Sequence, residues 1–588
     1  MCGLSAFFYN SESDLSVATA SIKKINYKMQ SRGPDSEGLW HGDRIILGHR
    51  RLSIQDLDSR SNQPFLSKCG RYIIVFNGEL YNFKELKKNI ALSEFQFRTS
   101  SDTEVLIALY SVLGEAMLPL LRGMFAFIIW DNYKKEAFIA RDPYGIKPLY
   151  LSFTKYGLIF ASQVKALIAS NIISKEVDPT GQMTYWLTGS VSEPHTWYKD
   201  ISPFLAGHCA YVKDGKLLNY KCWFSVSDLW RSKNQIKYSP QEAMEIGVNS
   251  IKESVRLHLT SDVPIGLFLS GGIDSASIAG LMIEFGLNKP KGITLHFEEY
   301  NKKDNDETPL AAIISEYFGL EHCIKTVSND EFNADFQKII DAMDQPSIDG
   351  INTWYASKTA SELGLKVVLS GIGGDELLSG YPGFKNIPLA LKCRKLIDKT
   401  YFPLPILKIL FYMLAFKKND KRWQYILDWS KSIEGSWLLT RGVFSPSDLH
   451  AIMNLQTPNF DPKKYIKDLV GTLSPSPSLA ISQMESCVYL KNQLLRDSDW
   501  SSMAHSIELR APLVDSFLLQ QIQPIKQYLF GKAVLTNSLS KKLPHSVLHR
   551  RKTGFNTPVN NWIHNLMGKG KLGTSRTTAL SIAESYSI

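Results

Sequence analysis

Cys2, followed by Gly3 and Leu4, is the residue of this chain with the most chemistry to offer. Removal of Met1 makes it the first residue and places a thiol and a free α-amine on the same residue. An α-amine with a pKa of about 8 is partly neutral near pH 7. It can take the thiol proton and leave a thiolate, so one residue serves as nucleophile and base. The competing reading is an ordinary small residue in a leader, and the residues downstream decide between the two. A thiolate that hydrolyses an amide needs two donors for the developing oxyanion, and the Asn77 side chain with the Gly78 N–H supplies them. If the substrate is an α-amino acid amide, its carboxylate needs a guanidinium fork, for which Arg51 is the candidate. Its ammonium needs carboxylates, and Glu79 and Asp102 are available. Singly, Asn-Gly reads as a turn and Arg as a solvated surface residue. The set, in this order behind Cys2, is specific.

A second concentration of chemistry begins where an apolar run enters Ser270-Gly271-Gly272, with Asp274 and Ser275 opening a helix. Such glycines let backbone N–H groups approach an anion, and the helix amino end adds a favourable dipole. Asp274 can hold Mg²⁺ against phosphates; a plain strand-to-helix turn is the bland alternative. Ser370-Gly371-Ile372-Gly373-Gly374-Asp375-Glu376 is another such turn behind a strand. Both loops would lie at the carboxyl ends of parallel strands, with Asp375 and Glu376 completing the metal site. Asp306 and Glu307 form a further acidic turn in which solvation is as good a reading as function. Arg550, Arg551 and Lys552 precede Gly554-Phe555, and Lys552 is the candidate phosphate contact of an otherwise ordinary basic patch.

The elements that must position these groups fall into two styles. In the first ~200 residues, strand-like runs at 45–48, 72–76, 126–130, 137–141 and 158–161 are divided by Gly, Asn, Asp and Pro. A helix over 103–113 follows the capping pair Ser101-Asp102. The polar stretch 224–239 reads as a linker. From about residue 240, apolar strands at 265–269, 292–297 and 366–369 alternate with helices starting at Ser275 and Thr308, which predicts a parallel α/β sheet. The remainder reads as helical.

The whole-chain properties fit this division. At 588 residues, two or more domains are expected. The composition, 44% hydrophobic and 21% charged, is that of a soluble globular protein. Seven scattered cysteines without a CxxC pair suggest neither a zinc site nor a disulfide framework. They fit a reducing, cytoplasmic compartment, and the first residues show no signal-peptide pattern. The net charge of +10 is spread along the chain, with no nucleic-acid-binding module visible. The apolar stretch 401–416 is short of the roughly 20 residues of a membrane span, so no transmembrane segment is expected. It reads as a buried or partly exposed helix. With Lys392, Arg394, Lys395, Lys399, Lys417 and Lys418 around it, a membrane-surface or partner role is the other reading.

The texts M-C-G-L, R-G-P-D, R-L-S-I, N-G-E-L-Y-N, S-D-T-E-V, G-M-F-A-F and A-R-D-P-Y-G-I-K-P-L-Y resemble the class II glutamine amidotransferase domain. That resemblance implies an αββα sandwich of the N-terminal-nucleophile hydrolase type over 2–220. It implies that Cys2 attacks the glutamine amide through a thioester and releases ammonia, with Asn77 and Gly78 as oxyanion hole and Arg51, Glu79 and Asp102 holding glutamine. S-G-G-x-D-S, S-G-x-G-G-D-E with Gly380-Tyr381, M-A-H-S-I-E-L-R-A-P-L-V-D and R-R-K-T-G-F resemble the PP-loop ATP-pyrophosphatase domain of glutamine-hydrolysing asparagine synthetases. This second resemblance implies an α/β domain over 240–565, a parallel sheet with a helical remainder, followed by a flexible tail over 566–588. It implies ATP at Leu269, Ser270, Gly271, Gly272, Asp274, Ser275, Leu295, Ser370, Gly371 and Lys552, and Mg²⁺ at Asp274 and Asp375. It leaves a homodimer open.

The two chemistries complete each other. Adenylation turns a carboxylate oxygen into a leaving group, and ammonia delivered through a dry passage stays a nucleophile. Aspartate is the family's acceptor. The family's acidic residue inside S-G-x-G is here Ile372, its D-E-P is Asp344-Gln345-Pro346, its basic residue after Asp499 is Trp500, and its Pro-Gly is Ala206-Gly207. Ile372 and Trp500 bear on the acceptor, which on this reading is aspartate or another carboxylate, such as a uronic acid of a surface polysaccharide precursor.

Overall fold

The computed structural model describes residues 2–586 apart from 89–92, 94, 233–235, 302, 304, 401–402, 418–419, 454–460, 530, 551–556 and 569–573. Side chains alternate across a strand. In Gly3–Tyr9, Leu4, Ala6 and Phe8 enter one core and Phe7 and Tyr9 another, all buried. A strand apolar on both faces has to lie between layers. Gly3–Tyr9 sits inside a six-stranded antiparallel sheet ordered Ser202–Pro203, Tyr150–Thr154, Gly157–Ala161, Gly3–Tyr9, Ile45–Arg51, Ser36–Gly42. A second antiparallel sheet runs Lys216–Cys222, His208–Lys213, Glu136–Arg141, Gly123–Asp131, Tyr72–Leu80, Phe65–Leu66.

Leu4, Ala6 and Leu47 of one sheet pack on Val75 and Ile128 of the other. On the outer face of the first sheet, Phe7 and Ile46 meet Ala18, Ile22 and Ile25 of the helix Leu15–Lys28. On the outer face of the second, Phe76 and Phe127 meet Val105, Leu106 and Leu109 of Asp102–Leu113. The expected αββα layering is present. Asp102–Leu120 is long and apolar enough to cross a membrane, and over half of it is buried in this outer layer.

The carboxyl-terminal half holds a five-stranded, wholly parallel sheet ordered Glu321–Val327, Lys291–Phe297, Ile265–Phe268, Val367–Leu369, Glu508–Arg510. The last strand falls in text that sequence periodicity leaves unassigned, since three residues carry no period. Most of the remainder is helical. One continuous helix runs from Pro477–Met484 through a π-helical stretch, Glu485–Leu495, into Arg496–Met503, and lies between the two halves. Such widened turns are frequent at functional sites.

Two expectations are corrected. The stretch 224–239 is not bare linker: Ser225 caps a helix, Val226–Arg231, whose Val226 and Trp230, one turn apart, are both buried. Of the tail expected to be flexible, Ser575–Tyr586 is a helix with Thr578, Ala579 and Ile582 fully buried. Tyr586 Oη donates to Asp344 O at 2.7 Å, and Tyr185 Oη donates to Ala579 O at 2.7 Å. The small Ser, Thr and Ala side chains that read as flexibility are what allow this close packing.

Candidate active site

Cys2 stands at the end of the central strand, where Gly3 faces Arg50 in the sheet register. Its backbone N–H donates to Asn77 Oδ1 of the other sheet at 3.1 Å. The amide of Asn77, 0% exposed, keeps its Nδ2 without a partner among the described residues. A buried, unspent donor beside a thiol is costly to keep and is what an oxyanion requires. At Gly78 the strand passes so close to its neighbour that a Cβ would lie 2.2 Å from Met124 O. Burial pushes the Cys2 thiol up from 9, and Arg51 acts in the opposite sense. The nearby imidazole is no base: burial holds His49 down at about 3, and its Nε2 is bonded to Phe76 O at 3.0 Å. It ties the Arg51 strand to the Asn77 strand.

Arg51 is held harder than a free fork. Its Nη1 donates to Asp58 O and Asn62 Oδ1 at 3.0 and 2.7 Å, and its Nη2 donates to Gln55 O and Asp56 O at 3.3 and 2.5 Å. Both terminal nitrogens are spent on ordering the loop 55–62. Asp102 is the first residue of its helix; Leu80 N donates to Asp102 Oδ2 at 3.0 Å. Burial raises the Asp102 carboxyl to about 6, and it shares a hydrogen bond with Glu79. Burial, with Asp102 and Glu508 adding to it, also raises Glu79. Two buried carboxyls that are hard to ionise together are matched to an incoming ammonium.

Much of this pocket is braced by residues from the other half. Arg32, fully buried, donates from Nε to Cys2 O at 3.0 Å and from both Nη atoms to Asp499 at 2.7 and 3.1 Å. Lys147 Nζ also donates to Asp499, at 3.3 Å. Arg510 lies 3.3 Å from Glu79 and donates to Glu508 at 2.6 Å. The Arg510 carbonyl accepts from Ser370 N at 2.9 Å, which joins this bracing to the second glycine-rich loop. A small, partly open cavity between the halves is lined by Arg141, Glu193, Gln345, Lys491, Arg496 and Asp499, among others.

The two glycine-rich loops touch. A Cβ on Gly371 would lie 2.9 Å from Asp274 Cβ, and one on Gly374 2.8 Å from Asp274 Cγ. Ser270 and Ser275 hydroxyls are 2.9 Å apart, and Ser275 Oγ donates to Ser270 O at 2.9 Å. Lys532 joins the two carboxylates: its Nζ is 2.5 Å from Asp274 and 2.6 Å from Asp375. Oxygens that share one ammonium are within reach of one divalent ion, and two carboxylates with substrate phosphates are what Mg²⁺ commonly takes. Among the described residues no third His, Cys, Asp or Glu joins them to make a metal cage.

Glu307, expected to be as readily solvated as functional, is buried beside this loop, bonded to the Gly271 backbone and 3.0 Å from Arg550. Glu376, also buried, accepts from Tyr381 Oη at 2.7 Å. Leu269 and Leu295 are both buried, in separate apolar clusters, and the structure does not bring their side chains together. Lys552 lies outside the described residues.

Two of the departures, Trp500 and the Asp344-Gln345 segment, have structural roles. Trp500, 2% exposed, donates from Nε1 to Asp497 at 2.9 Å, and Asp497 accepts from Ser347 Oγ at 2.5 Å. Gly350, at φ +90°, leaves room for the indole; a Cβ there would be 2.7 Å from it. Asp344 accepts from Val164 N and Lys165 N, and Gln345 from Trp197 N, so this segment is a strut between halves. Arg32, Asp499, Arg510 and Lys532 are the residues that sequence reasoning missed. Arg32 and Arg510 stand inside the motifs given above, but the partners that join the two halves, Asp499 and Glu79, lie hundreds of residues away from them. Lys532 stands in no motif.

A family described as glutamine amidotransferase domain matches residues 1–223, and one described as asparagine synthase matches residues 249–570. The glutamine-hydrolysing asparagine synthetase 1 of Bacillus subtilis is 30% identical over 558 positions, covering 93% of this chain and 85% of that protein. A putative glutamine-hydrolysing asparagine synthetase of Mycobacterium tuberculosis is 30% identical over 598 positions, covering 96% and 88%. Among solved structures, a glutamine phosphoribosylpyrophosphate amidotransferase from Bacillus subtilis covers 55% of this chain and 81% of its own at a TM-score of 0.30 and 14% identity.

Proposed function

The chain belongs to the glutamine-hydrolysing asparagine synthetase family and is an ATP-using amidotransferase ligase; from that premise we propose that its acceptor is aspartate, that its product is asparagine, and that the residues assembled above divide the work. The observation that carries the glutamine-hydrolysing part of this reading is the Asn77 amide, whose Oδ1 holds the Cys2 backbone while its buried Nδ2 is unspent; the choice of aspartate rests on the likeness to asparagine synthetases. The division of the chain is 2–220 for glutamine hydrolysis and 240–565 for synthesis.

In the first half, Cys2 Sγ attacks the glutamine side-chain carbonyl carbon. Asn77 Nδ2 and Gly78 N–H take the charge that forms on its oxygen. Ammonia leaves, and water then hydrolyses the thioester to glutamate. Glu79 and Asp102 take the substrate ammonium. Arg51, already anchored to its loop, gives the carboxylate side its fixed positive charge.

In the second half, Ser270, Gly271, Gly272, Ser275, Ser370 and Gly371 cradle ATP phosphates with backbone and hydroxyl donors, with Leu269 and Leu295 beside the adenosine and Lys552 at the pyrophosphate. Mg²⁺, when bound by Asp274 and Asp375, supplies neutralisation of phosphate charge. The acceptor carboxylate oxygen attacks the α-phosphorus and pyrophosphate leaves. Ammonia attacks the acyl carbon and AMP leaves with the shared oxygen. The cavity between the halves has a charged lining and not the dry wall expected from the chemistry.

A uronic acid or another carboxylate is the second reading. Trp500 fills its site with an indole bonded to Asp497 and offers no cation to an acceptor's second carboxylate.

The test pairs Cys2→Ala with an acceptor panel. Cys2→Ala is expected to lose glutamine-dependent synthesis and keep synthesis from high ammonium; loss of both would contradict a separate nucleophile. Wild-type enzyme with aspartate is expected to yield asparagine, AMP and pyrophosphate in equal amounts. AMP release with a uronic acid and not with aspartate moves the assignment to the second reading.

A further inference from the structure

Two consecutive helices of the carboxyl-terminal half turn uncovered apolar stripes outward. In Gly383–Lys399, the residues Lys385, Leu389, Lys392, Leu396 and Lys399 recur at steps of four and three, so they share one face. All five are exposed, Leu389 at 60% and Leu396 at 62%, while Ile387 and Arg394 on the opposite face are buried. In Leu404–Lys417, the residues Ile406, Ile409, Leu410 and Met413 share a face that Lys417 closes. Ile406, Ile409 and Met413 are each more than 60% exposed, and Ala415 on the other side is buried. Phe411, at the flank of that face, stacks on Trp423, so the helix is seated with its apolar stripe outward. A row of exposed apolar side chains along one helix face marks an interaction site.

The charge around it identifies the partner. Between residues 383 and 417 the acidic residue is Asp398 alone, and Arg394 takes it at 2.7 Å. The lysines alternate with leucines along one stripe and end the other. A second copy of the chain on this face would set lysine stripes against lysine stripes. A surface of anionic lipid headgroups over acyl chains accepts both components at once. The 14-residue helix Leu404–Lys417 is about 21 Å long, too short to span the hydrocarbon core, so it lies in the interface.

We propose that the exposed stripe Ile406–Ile409–Leu410–Met413, together with the lysine-bearing stripe Lys385–Leu389–Lys392–Leu396–Lys399 of the preceding helix, docks this enzyme peripherally on anionic membranes. The docking is independent of both reaction sites, because none of these residues belongs to either.

Co-sedimentation of the full-length protein with vesicles of phosphatidylglycerol in phosphatidylcholine tests this, against vesicles of phosphatidylcholine alone. The wild-type protein is expected to bind the anionic vesicles at low salt, to leave them at high salt, and to ignore the neutral ones. Ile409→Ser with Met413→Ser is expected to weaken binding by about tenfold or more, and Lys392→Ser with Lys399→Ser by roughly fivefold per cation removed. Glutaminase activity and pyrophosphate release, unchanged in both variants, report an intact fold. Wild type that stays in the supernatant with anionic vesicles overturns the proposal. So does equal binding to neutral vesicles, or binding that neither variant alters. Sedimentation velocity showing a dimer that Ile409→Ser with Met413→Ser dissolves, without vesicle binding, assigns the face to a second copy instead.

Discussion

Arg510 lies 3.3 Å from Glu79, across the boundary between the two halves, while its own carbonyl takes the N–H of Ser370. One residue of the carboxyl-terminal half thereby stands between a carboxylate of the proposed glutamine pocket and a backbone group of the proposed ATP loop. Arg510→Met is expected to leave Glu79 and Glu508 buried without their cation and to cost the fold about 3 kcal/mol or more. The Michaelis constant for glutamine should rise about tenfold or more, since Glu79 would stay protonated. Urea unfolding and glutaminase assays check both, and a variant with wild-type stability and glutamine dependence would discard the bracing role.

Asn77→Ala removes the unspent Nδ2. The glutaminase turnover number is expected to fall by about 100- to 1000-fold, the usual loss for one oxyanion donor, while ammonium-driven synthesis continues. Parallel loss of both activities would mean that Asn77 serves the fold rather than the oxyanion.

Glutamine binding should depend on pH through Asp102 and Glu79. Burial holds Asp102 at about 6, above its ordinary 3.8. Between about pH 4 and 6 the unfolded chain has lost this proton and the native chain keeps it, so stability falls as pH rises through that window, by on the order of 3 kcal/mol, and then levels off. An ammonium ligand needs the ionised form. The affinity of Cys2→Ala for glutamine should therefore drop about tenfold per pH unit below pH 6. Calorimetric titration across that range reads it, and a flat profile rules out the carboxyl pair as the ammonium site.

Lys532→Met leaves Asp274 and Asp375 facing each other without the ammonium they share. In chelator the variant is expected to be about 3 kcal/mol less stable than wild type. Magnesium should restore part of that loss and raise the melting temperature of the variant more than that of wild type. Equal responses to magnesium would show that the two carboxylates do not hold the ion.

Ile582→Ala tests the packed tail. Ile582 is 0% exposed among aromatic and aliphatic neighbours that include Phe332, Trp354 and Trp562. Its truncation should cost about 2–4 kcal/mol, whereas a tail loose in solution would leave the urea midpoint unchanged.

What the sequence exposed were local devices. The Asn-Gly after a strand, the Ser101 cap and the two glycine-rich turns each declare themselves within a few residues, and strand runs such as 72–76 appear in place, extended to Tyr72–Leu80. Gly3–Tyr9 escaped because a strand buried on both faces shows no alternation. Arg51 reads as a free fork, yet the loop it anchors engages both its terminal nitrogens. The pairings of Arg32 with Asp499 and of Lys532 with Asp274 depend on how distant segments meet, and no spacing along the chain encodes them.

The Arg32 guanidinium, which grips the Cys2 carbonyl on one side and Asp499 on the other, also limits how this protein can be taken apart. A fragment cut after Cys222 would carry Arg32 and Lys147 stripped of Asp499, and Glu79 stripped of Arg510. The halves are therefore not interchangeable cassettes. A graft of this glutaminase onto a foreign ligase would have to bring along the segment 499–510 that keeps its charges matched.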